Sequence, residues 1–209
     1  MPLYYMLNKP SGLITACRDA NRPTVMECFP AELAAKLHPI GRLDIDTHGL
    51  LLFTDDGRAD FALMQPSHHA EKSYFFRAIG SLSDADVSEL ENGMDIGGVF
   101  TASAKISDIQ TFAVEDIKEY LPERRRAKYL KNAKGAAFSA VLTIHEGKNH
   151  QVKRMLAHCK CRIVYLRRIS VAGIELDETL PEGAYRELTQ AERAKIEEFI
   201  GKTENPSRI

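Results

Sequence analysis

The strongest constraint on this chain is how its apolar residues are punctuated. They come in short runs such as Leu50-Leu51-Leu52-Phe53, each closed by turn residues. Strand-like segments fall in hairpin-like pairs with single helices between them, not in the strict strand–helix alternation that builds a parallel sheet. Leu3 to Leu7 predicts a buried strand ended by Asn8-Lys9-Pro10-Ser11-Gly12, and Gly49 to Thr54 a second, ended by Asp55-Asp56-Gly57. Pro30 to Leu37 and Arg58 to Gln65 predict short helices, the second capped by the Asp pair and stopped by Pro66. Lys72 to Ile79 reads as an aromatic-rich strand. Ser83-Asp84-Ala85-Asp86 resembles a capping box opening a helix that ends near Gly93. Residues 94 to 111 suggest short strands around Gly97-Gly98, and Phe138 to His145 alternates as a half-buried strand does. As a helix, residues 150 to 160 put Val152, Met155, Leu156 and Cys159 on one face and Gln151, Arg154 and His158 on another. Arg162 to Ala172 is strand-like, and Thr189-x-x-Glu192 opens a terminal helix through Ile200. The expected class is α+β, with a mixed, mostly antiparallel sheet.

Composition narrows the function classes. Of 209 residues 44% are hydrophobic and 27% charged, which excludes disordered and fibrous chains. No apolar run approaches the roughly 20 residues of a membrane span, and no basic-then-apolar leader opens the chain, so the expected location is the cytoplasm. Cys17, Cys28, Cys159 and Cys161 lack zinc-knuckle spacing and read as reduced structural thiols, with no metal site. The net charge is −1, yet it is segregated. Lys118, Arg124, Arg125, Arg126, Lys128, Lys131 and Lys134 crowd one stretch, and Lys148, Lys153, Arg154, Lys160, Arg162, Arg167 and Arg168 another. Such clustering builds either a basic face for a polyanion or a solvated surface.

The segment densest in chemistry is Gly41-Arg42-Leu43-Asp44-Ile45-Asp46-Thr47-His48-Gly49, leading into Leu50 to Thr54. A carboxylate in a turn beside an arginine, anchored by a buried strand, is held rigidly while remaining accessible. Asp and Gly also belong in plain turns. The acids Asp44, Asp46, Asp55 and Asp56 admit a magnesium-dependent hydrolase as an alternative, although the last two read better as helix caps.

The run Gly41-Arg42-Leu43-Asp44-x-x-Thr47-x-Gly49-Leu50-Leu51-Leu52-x-Thr54-Asp55-Asp56-Gly57 resembles the signature of the RsuA-type ribosomal RNA pseudouridine synthases. Asn8-Lys9-Pro10-Ser11-Gly12 is similar to the family's first motif, with Arg22-Pro23-Thr24-Val25 following at the usual interval. His68-His69-Ala70-Glu71-Lys72-Ser73-Tyr74 resembles its Lys-x-Tyr motif, Glu146 to Met155 its third motif, and Gly183-x-Tyr185-Arg186-x-Leu188 its C-terminal one. The Thr-Val and His-His-x-Glu-Lys-x-Tyr details favour the small-subunit RNA branch.

The resemblance implies two lobes around a central cleft within a single catalytic domain spanning 1–209. It also implies isomerisation of uridine to pseudouridine: the C1′–N1 bond breaks, the uracil turns, and a C1′–C5 bond forms. Substrate and product are isomers, so no cofactor is required. Asp44 matches the catalytic aspartate; whether it adds to ribose, adds to uracil or moves protons is left open by the sequence. Any route needs it ionised, so a cation should stand near. Lys153 holds the motif position for that partner, with Arg154 the competitor; on a helix the two point about 100 degrees apart. Tyr74 matches the pocket tyrosine that would stack on a flipped uracil, against a plain core aromatic. Arg42 would contact RNA, and Lys72 would bind phosphate or line a solvated strand edge. His68 and His69 read as positional, and Lys9, Pro10 and Gly12 as a backbone turn. The RNA-binding S4 module of many relatives is expected to be absent. Residues 112–137 read as a basic insertion whose Arg124-Arg125-Arg126-x-Lys128-Tyr129 run suits phosphates and a stacking ring. The expected partner is ribosomal RNA or a ribosome-assembly intermediate, with no membrane contact and a monomeric enzyme. The chief alternative is a non-catalytic RNA-binding or ribosome-assembly protein with the same fold.

Overall fold

The computed structural model describes residues 1–121, 123, 126, 127, 130 and 136–204. Along the chain these form β1 (Tyr4–Lys9), α1 (Ala31–Ala34), β2 (His38–Ile40), β3 (His48–Thr54), α2 (Gly57–Met64), β4 (Lys72–Ile79), α3 (Asp84–Asn92), β5 (Ala104–Ala113), β6 (Ala136–Ile144), α4 (Gln151–His158), β7 (Arg162–Val171), β8 (Ile174–Glu175), β9 (Tyr185–Glu187) and α5 (Gln190–Glu204). The chain divides into two compact units, Met1–Lys72 joined by the segment from Arg167 onward, and Ser73–Leu166.

In the first unit the strand order is β7-β3-β1-β9. β1 runs antiparallel to β3 along its whole length, Tyr4 opposite Thr54 and Lys9 opposite Gly49. β9 lies antiparallel on the other edge of β1, and β2 is antiparallel to β3. A parallel pairing of β3 with β7 sets His48 and Gly49 beside Arg167 and Arg168. β3 is buried along nearly its entire length, which is why it reads as a continuous apolar run and not as an alternation. One face of this sheet is closed by α2 and α5 around Met6, Leu50, Leu52, Leu63, Ile196 and Ile200. Phe29 packs against Phe53 and Tyr185, with ring centroids 4.7 and 4.5 Å apart. Asp56 caps α2 by accepting from Arg58 N at 3.0 Å. Asp55 takes no part in that cap; its carboxylate accepts from Leu3 N at 2.7 Å, fastening the start of the chain. The helix expected over Pro30 to Leu37 shrinks to the single turn of α1, because His38 to Ile40 are claimed by pairing with β3.

In the second unit the order is β5-β6-β4-β7, with β5 antiparallel to β6. β4 alternates strictly: Lys72, Tyr74, Phe76 and Ala78 are buried, while Ser73, Phe75, Arg77 and Ile79 lie half-buried on the opposite face. Phe76 meets Phe138 edge-on at 5.6 Å. α3 carries the expected capping box, Ser83 Oγ accepting from Asp86 N and Asp86 accepting from Ser83 N. The expected short strands at 94–111 are corrected. Asp95 and Phe100 bridge a tight turn, and a single strand then runs from Ala104 to Ala113, broken by an irregularity between Ser107 and Gln110. Of the basic insertion, Val114 to Tyr120 form tight helical turns. Arg124, Arg125, Lys128 and Tyr129, singled out from the sequence, lie outside the described residues. No helix among the described residues is long and apolar enough to cross a membrane.

Candidate active site

The Asp44 turn is fixed from several sides. Leu43 is buried and anchors it, while Arg42, Ile45 and Asp46 are more exposed and Asp44 is half-buried between them. Thr15 Oγ1 donates to Leu43 O at 2.9 Å and accepts from Leu43 N at 3.2 Å. Asp44 O accepts from Thr47 N at 3.1 Å, and Ile45 O from Gly12 N at 2.7 Å. The turn leaves into β3 through Gly49, at φ +98°, where a Cβ would lie 2.3 Å from Arg168 O. Only glycine fits that approach.

Lys9 lies beneath this turn and corrects the reading of Asn8 to Gly12 as backbone turn alone. Its side chain is fully buried, and Nζ donates to Pro10 O at 2.9 Å, Ile45 O at 3.3 Å and Thr47 O at 3.0 Å. Two of those carbonyls belong to the residue after Asp44 and to the end of the turn. Burial pulls the ammonium down to about 8, while Asp46, Cys28, Asp44 and Glu182 draw it back up by charge. Lys9 is thus a cation tied to the carboxylate's own loop. Sequence reasoning looks for a cation only in the third motif, and the one available signal for this one is a lysine ending a buried strand.

Lys72 is also buried, at 6% exposure, with Nζ donating to Ala70 O at 2.9 Å. A solvated strand edge is therefore overturned. Burial and the like charge of Arg168 bring its ammonium down to about 8. Arg168, more deeply buried still, donates from Nε to Leu50 O at 2.8 Å. His68 Nδ1 lies 2.7 Å from Ala62 O.

The second unit carries Tyr74, Lys153 and Arg154. Tyr74 is on the buried face of β4, at 8% exposure. α4 starts without a side-chain cap at His150, which adopts a left-handed conformation. The Gln151 amide accepts from Lys148 N at 2.9 Å and donates to Glu146 at 2.8 Å, so Gln151 is buried while His158, grouped with it by helical spacing, is exposed. Arg154 donates to the backbone carbonyl of Ile96 and, at 3.3 Å, to that of Asn149. Its guanidinium is thus engaged in pinning the 95–100 turn to α4. Lys153 is half-buried on the same helix.

The acids of the magnesium reading do not converge. Asp55 and Asp56 are engaged at Leu3 N and Arg58, and among the described residues no three of His, Cys, Asp and Glu form a metal-sized group. What the first unit offers is a rigidly held, accessible carboxylate with a buried ammonium under its loop. That is an arrangement for covalent or proton-transfer chemistry on a substrate brought to it.

The fold and the order of these segments along the chain define the class. Residues 3–158 match the RNA pseudouridylate synthase family, and the chain belongs to it; its members are isomerases acting on RNA. The chain is 36% identical over 195 residues to ribosomal small subunit pseudouridine synthase A of Yersinia pestis, covering 93% of this chain and 73% of that one. It is 36% identical to the Escherichia coli K12 protein of the same name, with 93% and 74% covered, and 35% identical to the RNA pseudouridine synthase YtzG of Bacillus subtilis, with 91% and 71% covered. A crystallised pseudouridylate synthase superposes with a TM-score of 0.76 at 34% identity, covering 94% of this chain and 74% of that one.

Proposed function

We propose that this chain isomerises a specific uridine in ribosomal RNA, the small-subunit RNA in particular, to pseudouridine, with Asp44 as the catalytic carboxylate. The observation that carries this reading is the Asp44 turn: a carboxylate on a loop locked by Thr15, Gly12 and Lys9, within the segment that carries the family signature. The names of the similar small-subunit enzymes support the choice of RNA. Arg42, beside Asp44 in the same turn, is assigned to RNA contact, and Tyr74 to stacking on the flipped uracil. Lys153 is assigned as the basic residue that the third motif supplies for the carboxylate. Arg154, engaged with Ile96 and Asn149, supports this segment by positioning. Lys72, with Arg168 beside it, is assigned to a phosphate reached in the interior. The proposed enzyme is a monomer of two lobes in one catalytic domain, acting in the cytoplasm on ribosomal RNA or an assembly intermediate.

The chemistry asks little beyond these groups. The glycosidic bond breaks at the ring nitrogen N1 and re-forms at the ring carbon C5, whose hydrogen is released as a proton while N1 gains one, with no net change in composition. Asp44 therefore serves as nucleophile or proton carrier, and the site must orient the uracil while keeping water from the reactive carbon. The test is tritium release from small-subunit ribosomal RNA labelled at uridine C5, run with excess chelator. Release is expected, undiminished by the chelator. RNA binding without release from small-subunit, large-subunit or assembly-intermediate RNA would replace the enzyme by a binding protein of the same fold.

A further inference from the structure

We propose that Arg77 is a preorganised contact for an RNA phosphate, separate from the uridine pocket and on the opposite face of β4 from Tyr74. The proposal rests on RNA being the substrate and extends that reading to a second site. Alternation along β4 puts Tyr74 inward and sets Phe75 and Arg77 on the other, half-buried face. There the Arg77 guanidinium lies 4.6 Å from the Tyr120 ring centroid and 5.8 Å from those of Phe75 and Phe112. Tyr165 completes the group, 5.0 Å from Tyr120 and 6.3 Å from Phe75. The rings come from separate parts of the unit, so the guanidinium is oriented by tertiary packing and not by its own strand alone.

Ring faces hold a guanidinium's plane but accept none of its in-plane N–H donors. Nε of Arg77 is sealed from solvent with no acceptor, and among the described residues no hydrogen bond or ion pair engages its terminal nitrogens. An arginine that only braced these rings would be expected to find a carbonyl or carboxylate for its fork. The same cluster borders a second such group: Leu121 packs with Tyr120 and Phe112, its carbonyl accepts from Arg126 at 3.4 Å, and Arg126 Nε is likewise sealed without an acceptor. The acids of the adjoining turn, Glu115, Asp116 and Glu119, are exposed, and Asp116 caps the turn by accepting from Ala113 N. Arg77 thus offers terminal nitrogens that no carboxylate pairs with among the described residues, and Arg126, bonded only to a carbonyl there, keeps its charge. A phosphate diester, with its paired oxygens, suits such forks.

The experiment measures binding of a small-subunit ribosomal RNA transcript across a salt series for wild type, Arg77→Leu and Arg77→Lys, with tritium release and near-UV circular dichroism in parallel. Arg77→Leu is expected to weaken binding about tenfold at low salt and to flatten the log–log salt slope by close to one, the signature of one lost phosphate contact. Turnover at saturating RNA should stay within about twofold of wild type, because the residue lies on the other face of its strand from Tyr74. Arg77→Lys should keep the slope while losing several-fold in affinity, since an ammonium keeps the charge and forfeits the fork. An unchanged slope and affinity in Arg77→Leu would overturn the proposal. So would wild type that binds no RNA. If the leucine variant fails to fold, the lysine variant decides, and wild-type affinity in it would also overturn the proposal. Wild type that binds with the full slope but releases no tritium from any ribosomal RNA would instead remove the enzymatic reading and leave Arg77's role standing.

Discussion

Asp44→Asn is expected to reduce pseudouridine formation by at least about a thousandfold while leaving the fold and RNA binding nearly intact. Asparagine has the same shape, and three ties of the turn run through backbone groups that the substitution leaves in place. Thr47 N donates to the Asp44 backbone oxygen, Leu43 is tied to Thr15, and Lys9 grips the carbonyls of Ile45 and Thr47. What disappears is the anion, and with it any means of attacking carbon or carrying a proton. The anion also draws Lys9 upward by charge, so its removal weakens a favourable attraction in the resting protein. A stability change small beside the loss of rate therefore separates a chemical role from a structural one. The measurement is single-turnover tritium release at saturating RNA, with binding and thermal unfolding alongside. Rate retained within tenfold would remove Asp44 as the catalytic residue. A large fall in unfolding temperature would make the lost rate uninformative, and Asp44→Glu, which restores the charge out of place, would then be compared.

The sequence exposes whatever depends on neighbours in the chain. β3 is visible because a strand buried on both faces must be apolar throughout, and α3 because Ser83 and Asp86 satisfy backbone donors three residues away. The Asp44 turn is visible as turn chemistry ahead of such a strand. Long-range contacts are hidden. Lys9 finds two of its acceptors 36 and 38 residues onward, and beyond its place at the end of a buried strand its neighbours in sequence do not foretell that its ammonium will be buried. β2, β8 and β9 are two or three residues long, too short for any periodicity, and exist only through their partners. Helical spacing groups Gln151 with Arg154 and His158, but it does not show that the glutamine folds back onto Lys148 N and Glu146 in the loop before the helix. Arg77 carries no sequence signal because the rings that clasp it converge from β4, β5 and the turn after it. Periodicity reports which way a side chain points, not which distant group meets it.

Lys9→Met is the harsher test of how the Asp44 loop is held. The substitution preserves most of the buried volume but removes the lysine's hydrogen bonds to the carbonyls of Pro10, Ile45 and Thr47, of which Ile45 O keeps Gly12 N as donor, and removes a cation that attracts two aspartates. The loss is expected to be about 2–4 kcal/mol of folding stability at pH 7, measured by urea unfolding. Turnover should fall about tenfold or more even where the variant is folded, since the carbonyls of Ile45 and Thr47 are then free to shift and carry Asp44 with them. The pH dependence identifies the cause. In the folded protein Lys9 titrates at about 8, against an ordinary value of 10.5 when unfolded. Below pH 8 both states hold the proton, and the buried charge weighs on the folded one. Between 8 and 10.5 the unfolded chain retains a proton that the folded protein has released, so stability rises with pH through that window and its gain is lost again as pH falls through 8. Lys72 does the same, whereas the thiols of Cys159 and Cys161, pushed up to about 12 and 11 by burial, oppose it as the unfolded thiols begin to ionise. The wild-type curve therefore mixes several groups, but the difference between wild type and Lys9→Met isolates one. That difference should widen by about 1 kcal/mol from about pH 8 to about pH 9. A difference that stays flat would mean that the Lys9 ammonium is solvated, and the loop would then have to owe its rigidity to Thr15 and Gly12 alone.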